Sequence, residues 1–330
     1  MTEYELIQKL AGTFTRSKRQ KNTLFECDAE IIEIGGRLWG MSLDEFSPVE
    51  DLFTAEDPTV LGANLAVATI SDLLAAGASP EFFMHGICLP VGSGDGFVEG
   101  LATGIQRVLA EAGCSLCGGD LGTAETWRYC GFAMGPVQAT HPVTRCLPCK
   151  PQSLWVTGKV GDANLAAYTE SSTPVFELRL SEAALVSRYA TGCIDTSGGL
   201  LDALWLLQKQ NAGLRFELDL EAVPYAEGTE AVTDHSGIPR ETVLVGGAGE
   251  YELVFTVSDN LTALAVAEIE AMEATRIGKV YPDSDSGLFY TTDSGCAKPL
   301  TETPPCPRGA ENIEAYIAQV LQYTKKWFGS

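Results

Sequence analysis

Positive charge is what this sequence has least of. Its 330 residues carry 22 Lys+Arg against 44 Asp+Glu, a net charge of −22 at neutral pH. So acidic a chain has no broad basic footprint, which excludes nucleic acid and anionic membrane surfaces as expected partners. Histidine is nearly as scarce: His85, His141 and His235 are the only three, and they are scattered. That argues against a histidine metal site or a Ser-His-Asp triad. No G-x-x-x-x-G-K-[ST] segment is present, so this is not a P-loop protein. Gly92-Ser93-Gly94-Asp95-Gly96 lacks the spacing of a dinucleotide fingerprint and the arrangement of a nucleophile elbow. No apolar run is expected to reach the ~18–20 residues that span a bilayer. The acidic start Met1-Thr2-Glu3-Tyr4-Glu5 has no signal-peptide core, and a cytoplasmic location is expected. With 45% hydrophobic and 20% charged residues, the chain is not a disordered one.

Cysteine, by contrast, is plentiful, with ten residues. Without an export signal they do not read as a disulfide framework. Cys114-x-x-Cys117 and Cys146-x-x-Cys149 have the spacing of metal ligands, so a four-thiolate zinc site is one reading. The first pair falls in an expected strand, where residues three apart face opposite ways. Reduced, mostly buried thiols are the preferred reading.

The length suits two domains. The Pro-, Cys- and Arg/Lys-bearing stretch from His141 to Gln152 marks the boundary, giving 1–147 and 148–330. Thr2-x-x-Glu5 is a capping box opening a short helix. Arg16, Lys18, Arg19 and Lys21 read as a solvated loop or as a mobile phosphate clamp. The patterning then predicts a strand over Ile31–Met41 turning at Gly35-Gly36 and a helix over Asn64–Ala76 closed by Gly77 and Pro80. A buried strand over Phe82–Leu89 and a helix over Phe97–Ala112 follow. A strand from Ser115 is expected to run into a Gly118-Gly119-Asp120 turn, and another strand covers Trp127–Val137. Beyond the boundary, strands are expected at Leu154–Gly158, Leu214–Leu220 and Tyr251–Val257, and helices at Gly161–Tyr168 and Leu201–Gln208. The last helix carries Ile313, Ile317, Val320 and Leu321 on one face. This alternation indicates α/β and α+β layers.

The chemistry rests on aspartates at element ends: Asp28, Asp44, Asp72, Asp120 and Asp195. Taken singly, each reads most simply as a cap or turn residue. Asp72 stands apart, because an ionised carboxylate in an apolar helix is costly unless it is paired or holds a metal. Mg²⁺ takes oxygen ligands and binds through one or two carboxylates plus phosphate oxygens. Several convergent carboxylates with a nucleotide would form a multi-Mg²⁺ phosphoryl-transfer site.

Four segments carry a resemblance: Gly62 to Pro80, with Asn64 and Ile70-Ser71-Asp72; Gly118-Gly119-Asp120; Ile194-Asp195-Thr196-Ser197-Gly198-Gly199-Leu200; and Gly247-Ala248-Gly249-Glu250-Tyr251-Glu252-Leu253. In order and spacing they resemble thiamine-monophosphate kinases, members of the AIR synthase-like (PurM-like) superfamily. The resemblance implies an AIR synthase-like two-domain fold, with an N-terminal sheet domain that forms a homodimer and a C-terminal α+β domain. It also implies ATP and Mg²⁺ in the cleft between them. Residue by residue, Asp28, Ser42, Asp44, Asp72, Asp120 and Asp195 look like metal ligands. Gly119, Asp120, Arg145 and Ser197 look like nucleotide contacts, and Asp72 and Asp120 like the catalytic pair. The chain departs from the family pattern at Cys27, Gly198 and Gly249, each standing where the family has an acid. Asp51 lies near the place of a family histidine.

The resemblance implies an ATP- and Mg²⁺-dependent phosphotransferase with a small phosphorylated substrate and an acceptor open to change. A cyclase or dehydratase activity, as in AIR synthase or hydrogenase maturation, is an alternative. The ending Trp327-Phe328-Gly329-Ser330 lacks the terminal cysteine expected of the hydrogenase-maturation member. A non-catalytic paralogue that binds a nucleotide or a partner is the third reading.

Overall fold

The computed structural model describes residues 3–48, 51, 57–292 and 295–329. Thr2 of the expected capping box lies outside them. The first part of the chain forms α1 (Glu3–Ala11), β1 (Glu30–Ile34), β2 (Arg37–Phe46), α2 (Pro58–Ala75), β3 (Phe82–Leu89), α3 (Asp95–Ala112), β4 (Ser115–Thr123) and β5 (Arg128–Pro136). Its sheet runs β1-β2-β5-β3-β4. Only β3 and β4 pair in parallel; the other pairs are antiparallel.

α2 is the spine of this part. It starts where Asp57 accepts the Thr59 N–H at 2.8 Å, with Pro58 in the first turn where its missing N–H costs nothing. The helix is apolar all round and almost wholly buried between the sheet and α3. A Cβ at Gly62 would lie 2.1 Å from the Leu101 carbonyl, and one at Gly104 2.0 Å from that of Thr59, so glycine at both lets α2 and α3 touch backbone to backbone. At 18 residues α2 is long and apolar enough to cross a membrane, which overturns the expectation that no run reaches that length. Its apolar character serves burial within the fold.

The second part comprises β6 (Gln152–Thr157), α4 (Asp162–Tyr168), α5 (Leu180–Tyr189), β7 (Ala190–Asp195), α6 (Leu200–Gln210), β8 (Leu214–Asp219), α7 (Thr229–Ser236), β9 (Leu253–Ser258), α8 (Ala263–Glu270), β10 (Ala274–Pro282), β11 (Gly287–Thr291), β12 (Lys298–Leu300) and α9 (Ile313–Phe328). The sheet order is β12-β11-β8-β10-β6-β9-β7. One hydrophobic core joins α2 to Phe176, Val186, Leu253 and Phe255 of this second part, and a second core lies beneath α6 and α9.

Several expectations are corrected. Gly118-Gly119-Asp120 is not a turn: it continues β4, with the register shift of a bulge opposite Phe83 and Met84. β3 is not a buried strand, since only Phe83 is fully covered. The buried face of α9 is Tyr316, Val320, Tyr323 and Thr324, while Ile313 is exposed. Its tyrosine rings, rather than its isoleucines, reach the core. The thiols are not mostly buried: Cys27, Cys114 and Cys193 are, but Cys117, Cys146, Cys149, Cys296 and Cys306 are exposed. No thiol belongs to a metal-holding group among the described residues. In the basic cluster, Arg16 pairs with Glu30 at 3.1 Å and Lys21 with Glu33 at 2.5 Å, fastening a solvated loop to β1.

Candidate functional site

Three aspartates from three places in the chain converge. Asp28 precedes β1, Asp72 lies in the last turn of α2, and Asp195 ends β7. One carboxylate oxygen of each lies within 4.8 Å of the others. Ser71 ties the two parts of the chain together here, its Oγ donating to Asp195 Oδ2 at 2.5 Å. The Ser197 N–H donates to Asp195 Oδ1 at 3.3 Å.

Among the described residues, Arg145 is the one cation ion-paired within this group. Its guanidinium bonds Asp28 Oδ1, while Asp28 Oδ2 and Arg145 Nε, both buried, have no hydrogen-bond partner. Three carboxylates face one guanidinium, so full ionisation leaves an excess of two negative charges. Burial pushes the Asp28 carboxyl up to about 7, against the pull of Arg145. Asp72 is pushed well above the usual range by burial, then by Asp44, Asp195 and Asp28. Burial also raises the Cys27 and Cys193 thiols, so Cys27 supplies no charge in place of the family acid. Hard oxygen donors, surplus negative charge and an orphaned carboxylate oxygen fit a hard divalent cation.

The other expected site residues are placed differently. Ser42 is buried, and its hydroxyl donates to the Thr69 carbonyl of α2 at 2.7 Å. Asp44 lies outside the trio but close enough to raise Asp72. Asp44, Gly131, His85 and Gly119 form one cross-strand row. That row faces α2, since a Cβ at Gly131 would meet Thr69. Asp120 belongs to the next row, through Gly86 and Cys130 to Glu45, on the opposite face. It is exposed and does not join the trio. The expected turn, with Gly119 and Asp120 meeting both nucleotide and metal, is instead strand, and in a strand neighbouring residues face apart. Ser197 is exposed beside Asp195. A Cβ at Gly198 would lie 2.5 Å from Asp202 Oδ2, so a carboxylate of α6 already stands where the family acid is missing.

The motif around Gly249 also resolves into parts. Tyr251 is buried, with φ of 60°, and its ring lies 5.3 Å from that of Phe176. Glu250 accepts the Gly161 N–H at 2.9 Å at the start of α4, and burial pushes its carboxyl up to about 8. Glu252 pairs with Arg179. Ser71 and Arg179 had no role by motif; a hydroxyl preceding Asp72 was the one available signal for the first, and no local pattern marked the second.

The family model described as "AIR synthase related protein, N-terminal domain" matches residues 27–137. Thiamine-monophosphate kinase of Archaeoglobus fulgidus is 27% identical over 284 residues, spanning 82% of this chain and 90% of that protein. The chain is thus similar to AIR synthase-related proteins over residues 27–137 and to thiamine-monophosphate kinases over most of its length. Its fold matches AaThiL, solved with AMPPCP and TMP, at a TM-score of 0.74 and 20% identity over 92% of this chain and 96% of that one. The hydrogenase maturation protein HypE of E. coli also matches, at 0.67 and 17% identity over 84% and 88%.

Proposed function

We propose that the protein is an ATP- and Mg²⁺-dependent phosphotransferase acting on a small phosphorylated acceptor in the cytoplasm. The observation that carries this reading is the trio Asp28, Asp72 and Asp195, three carboxylates with one guanidinium and an orphaned oxygen. The AMPPCP and TMP bound by AaThiL support it from outside. Transfer between two bound phosphates needs positioning and charge neutralisation more than a protein nucleophile. Mg²⁺, when bound, supplies that neutralisation. Asp28, Asp72 and Asp195 hold the metal, and Asp44 adds to the field from β2. Arg145 and Ser197 border the nucleotide, the first by charge and the second by its exposed hydroxyl. Thiamine monophosphate is the first acceptor to try. The replacements at Cys27, Gly198 and Gly249 leave room for a changed one.

Two copies pair through the outer face of the N-terminal sheet in this reading. Leu43 and Met84 share a row there with Phe132, and Leu43 is 65% exposed and Met84 45%. Asp120 lies on this same face, so a partner copy would cover it.

The test is thermal unfolding with an ATP analogue and Mg²⁺, each alone and together. At about 100 times the dissociation constant, a ligand stabilises by roughly 2.7 kcal/mol. A shift needing both components, followed by ADP formation with thiamine monophosphate or a related phosphate, is the expected result. No shift in any combination overturns the reading in favour of a partner-binding paralogue.

A further inference from the structure

We propose that Arg179 is a positioning residue for Asp195, acting through Glu252 and Thr196; the consequence for metal binding rests on reading the trio as a metal site. Arg179 sits at the start of α5 and is 7% exposed. Its Nε and Nη2 donate to the two oxygens of Glu252 at 2.7 and 2.6 Å, a planar two-pronged pairing. Thr157 Oγ1 donates to the same carboxylate at 2.5 Å and accepts the Leu253 N–H at 2.8 Å. Glu252 is therefore held by side chain and by the strand beside it.

The main chain carries this order to the trio. The Thr196 N–H donates to the Glu252 carbonyl at 2.9 Å. The Glu252 N–H donates back to Thr196 Oγ1 at 3.0 Å. Thr196 directly follows Asp195, whose own register partner is Leu253. Fixing residue 252 thus fixes the backbone on which the Asp195 carboxylate is mounted.

Two observations separate this from generic stabilisation. Buried ion pairs are weak stabilisers, because desolvation consumes most of the attraction, whereas a bidentate fork sets geometry. The backbone is also shaped around the pair. A Cβ at Gly158, where φ is 55°, would lie 2.1 Å from Arg179 Nη2 and 2.3 Å from Glu252 Oε1. The remaining Arg179 nitrogen, Nη1, meets Glu177 at 2.8 Å and Glu273 at 2.9 Å near the surface, so the cation is held from both ends.

The test uses the full chain and two variants. Arg179→Lys keeps the charge and removes the fork. Thr196→Val leaves the ion pair intact and removes only the hydroxyl that receives the Glu252 N–H, so it decides the matter even if Arg179→Lys fails to fold. Hydrogen exchange over residues 194–199 should rise in each variant. Mn²⁺ affinity, measured by calorimetry, should fall by about tenfold, the lower end for supporting-shell losses at metal sites. Unchanged exchange in Thr196→Val overturns the inference whatever Mn²⁺ does. Failure of the unaltered protein to bind Mn²⁺ overturns the metal reading instead, and exchange alone then decides the positioning.

Discussion

Two groups of buried acids flank the end of β7, and they are built in opposite ways. Around Glu252, each carboxylate oxygen receives a nitrogen of Arg179, and one also receives the Thr157 hydroxyl. In the trio, three carboxylates share Arg145, and Asp28 Oδ2 has no hydrogen-bond partner. Burial raises the carboxyls of both Glu252 and Asp28. What differs is satisfaction. A buried acid with its donors complete is scaffold, while a group left short of positive charge is a binding site for it. Residue type and burial alone would not have told them apart.

Removing the cation of the trio should have the largest effect. Arg145→Met leaves Asp28 buried without its partner, a loss that costs about 3–5 kcal/mol. Denaturant unfolding checks it, and added Mg²⁺ should recover more stability in the variant than in the unaltered protein. A cost below about 1 kcal/mol would mean that the trio is not short of charge. Asp72→Asn should act in the opposite direction. Removing one of several repelling acids raises the melting temperature without ligand. The same change abolishes the roughly 2.7 kcal/mol stabilisation by Mg²⁺ with ATP analogue. Melts with and without ligand read both effects, and a retained ligand shift would exclude Asp72 from the site.

How far the sequence carries this argument depends on the range of the interactions. Local patterns placed α3 and α6 to within about two residues, because glycine stops and helical periodicity are short-range signals, whereas α2 starts well before the expected Asn64 and β2 runs well past the expected Met41. The isolated carboxylate of Asp72 in an apolar helix was also legible. Asp28 and Asp195 stood out only as acids at element ends, and Arg145 was reached through family likeness alone, since nothing local brings residues 28, 72, 145 and 195 together. Asp120 was misplaced for a physical reason: Gly118-Gly119 reads as a turn, but here the two glycines absorb a bulge and the strand continues. Arg179 was invisible. Its partner lies 73 residues away, and a lone arginine before a helix resembles any surface residue.

Glu250 lies between the two extremes. It has a backbone donor at Gly161, yet no cation in its hydrogen-bonded contacts, and its carboxyl is raised from 4.5 to about 8. Folding therefore favours the protonated acid. That contribution is fully present below about pH 4.5 and is lost as pH rises through 8. Glu250→Gln offers the same oxygen to Gly161 without a charge to desolvate. The variant should match the unaltered protein at pH 5 and exceed it by on the order of 2 kcal/mol at pH 8.5. Unfolding at the two pH values checks this, and equal stability at both would place Glu250 with the satisfied acids.

The weakest expected effect comes from acids at the surface. Glu30 is paired with Arg16 in water, where screening and side-chain entropy offset the attraction. Arg16→Ala should cost about 0.2–1 kcal/mol, and less in high salt. The same variant tests the alternative use of the basic loop. A loop that closed over nucleotide phosphates would lose part of its grip with Arg16, and the melting shift by ATP analogue and Mg²⁺ would shrink. A loop merely fastened to β1 leaves that shift intact. Arg16 already donates to Gln20, to the Asn22 carbonyl and to Glu30, so its guanidinium is committed to its own loop and to the start of β1. An unchanged ligand shift is accordingly the expected result, and it would confine the charge imbalance that matters to the buried trio.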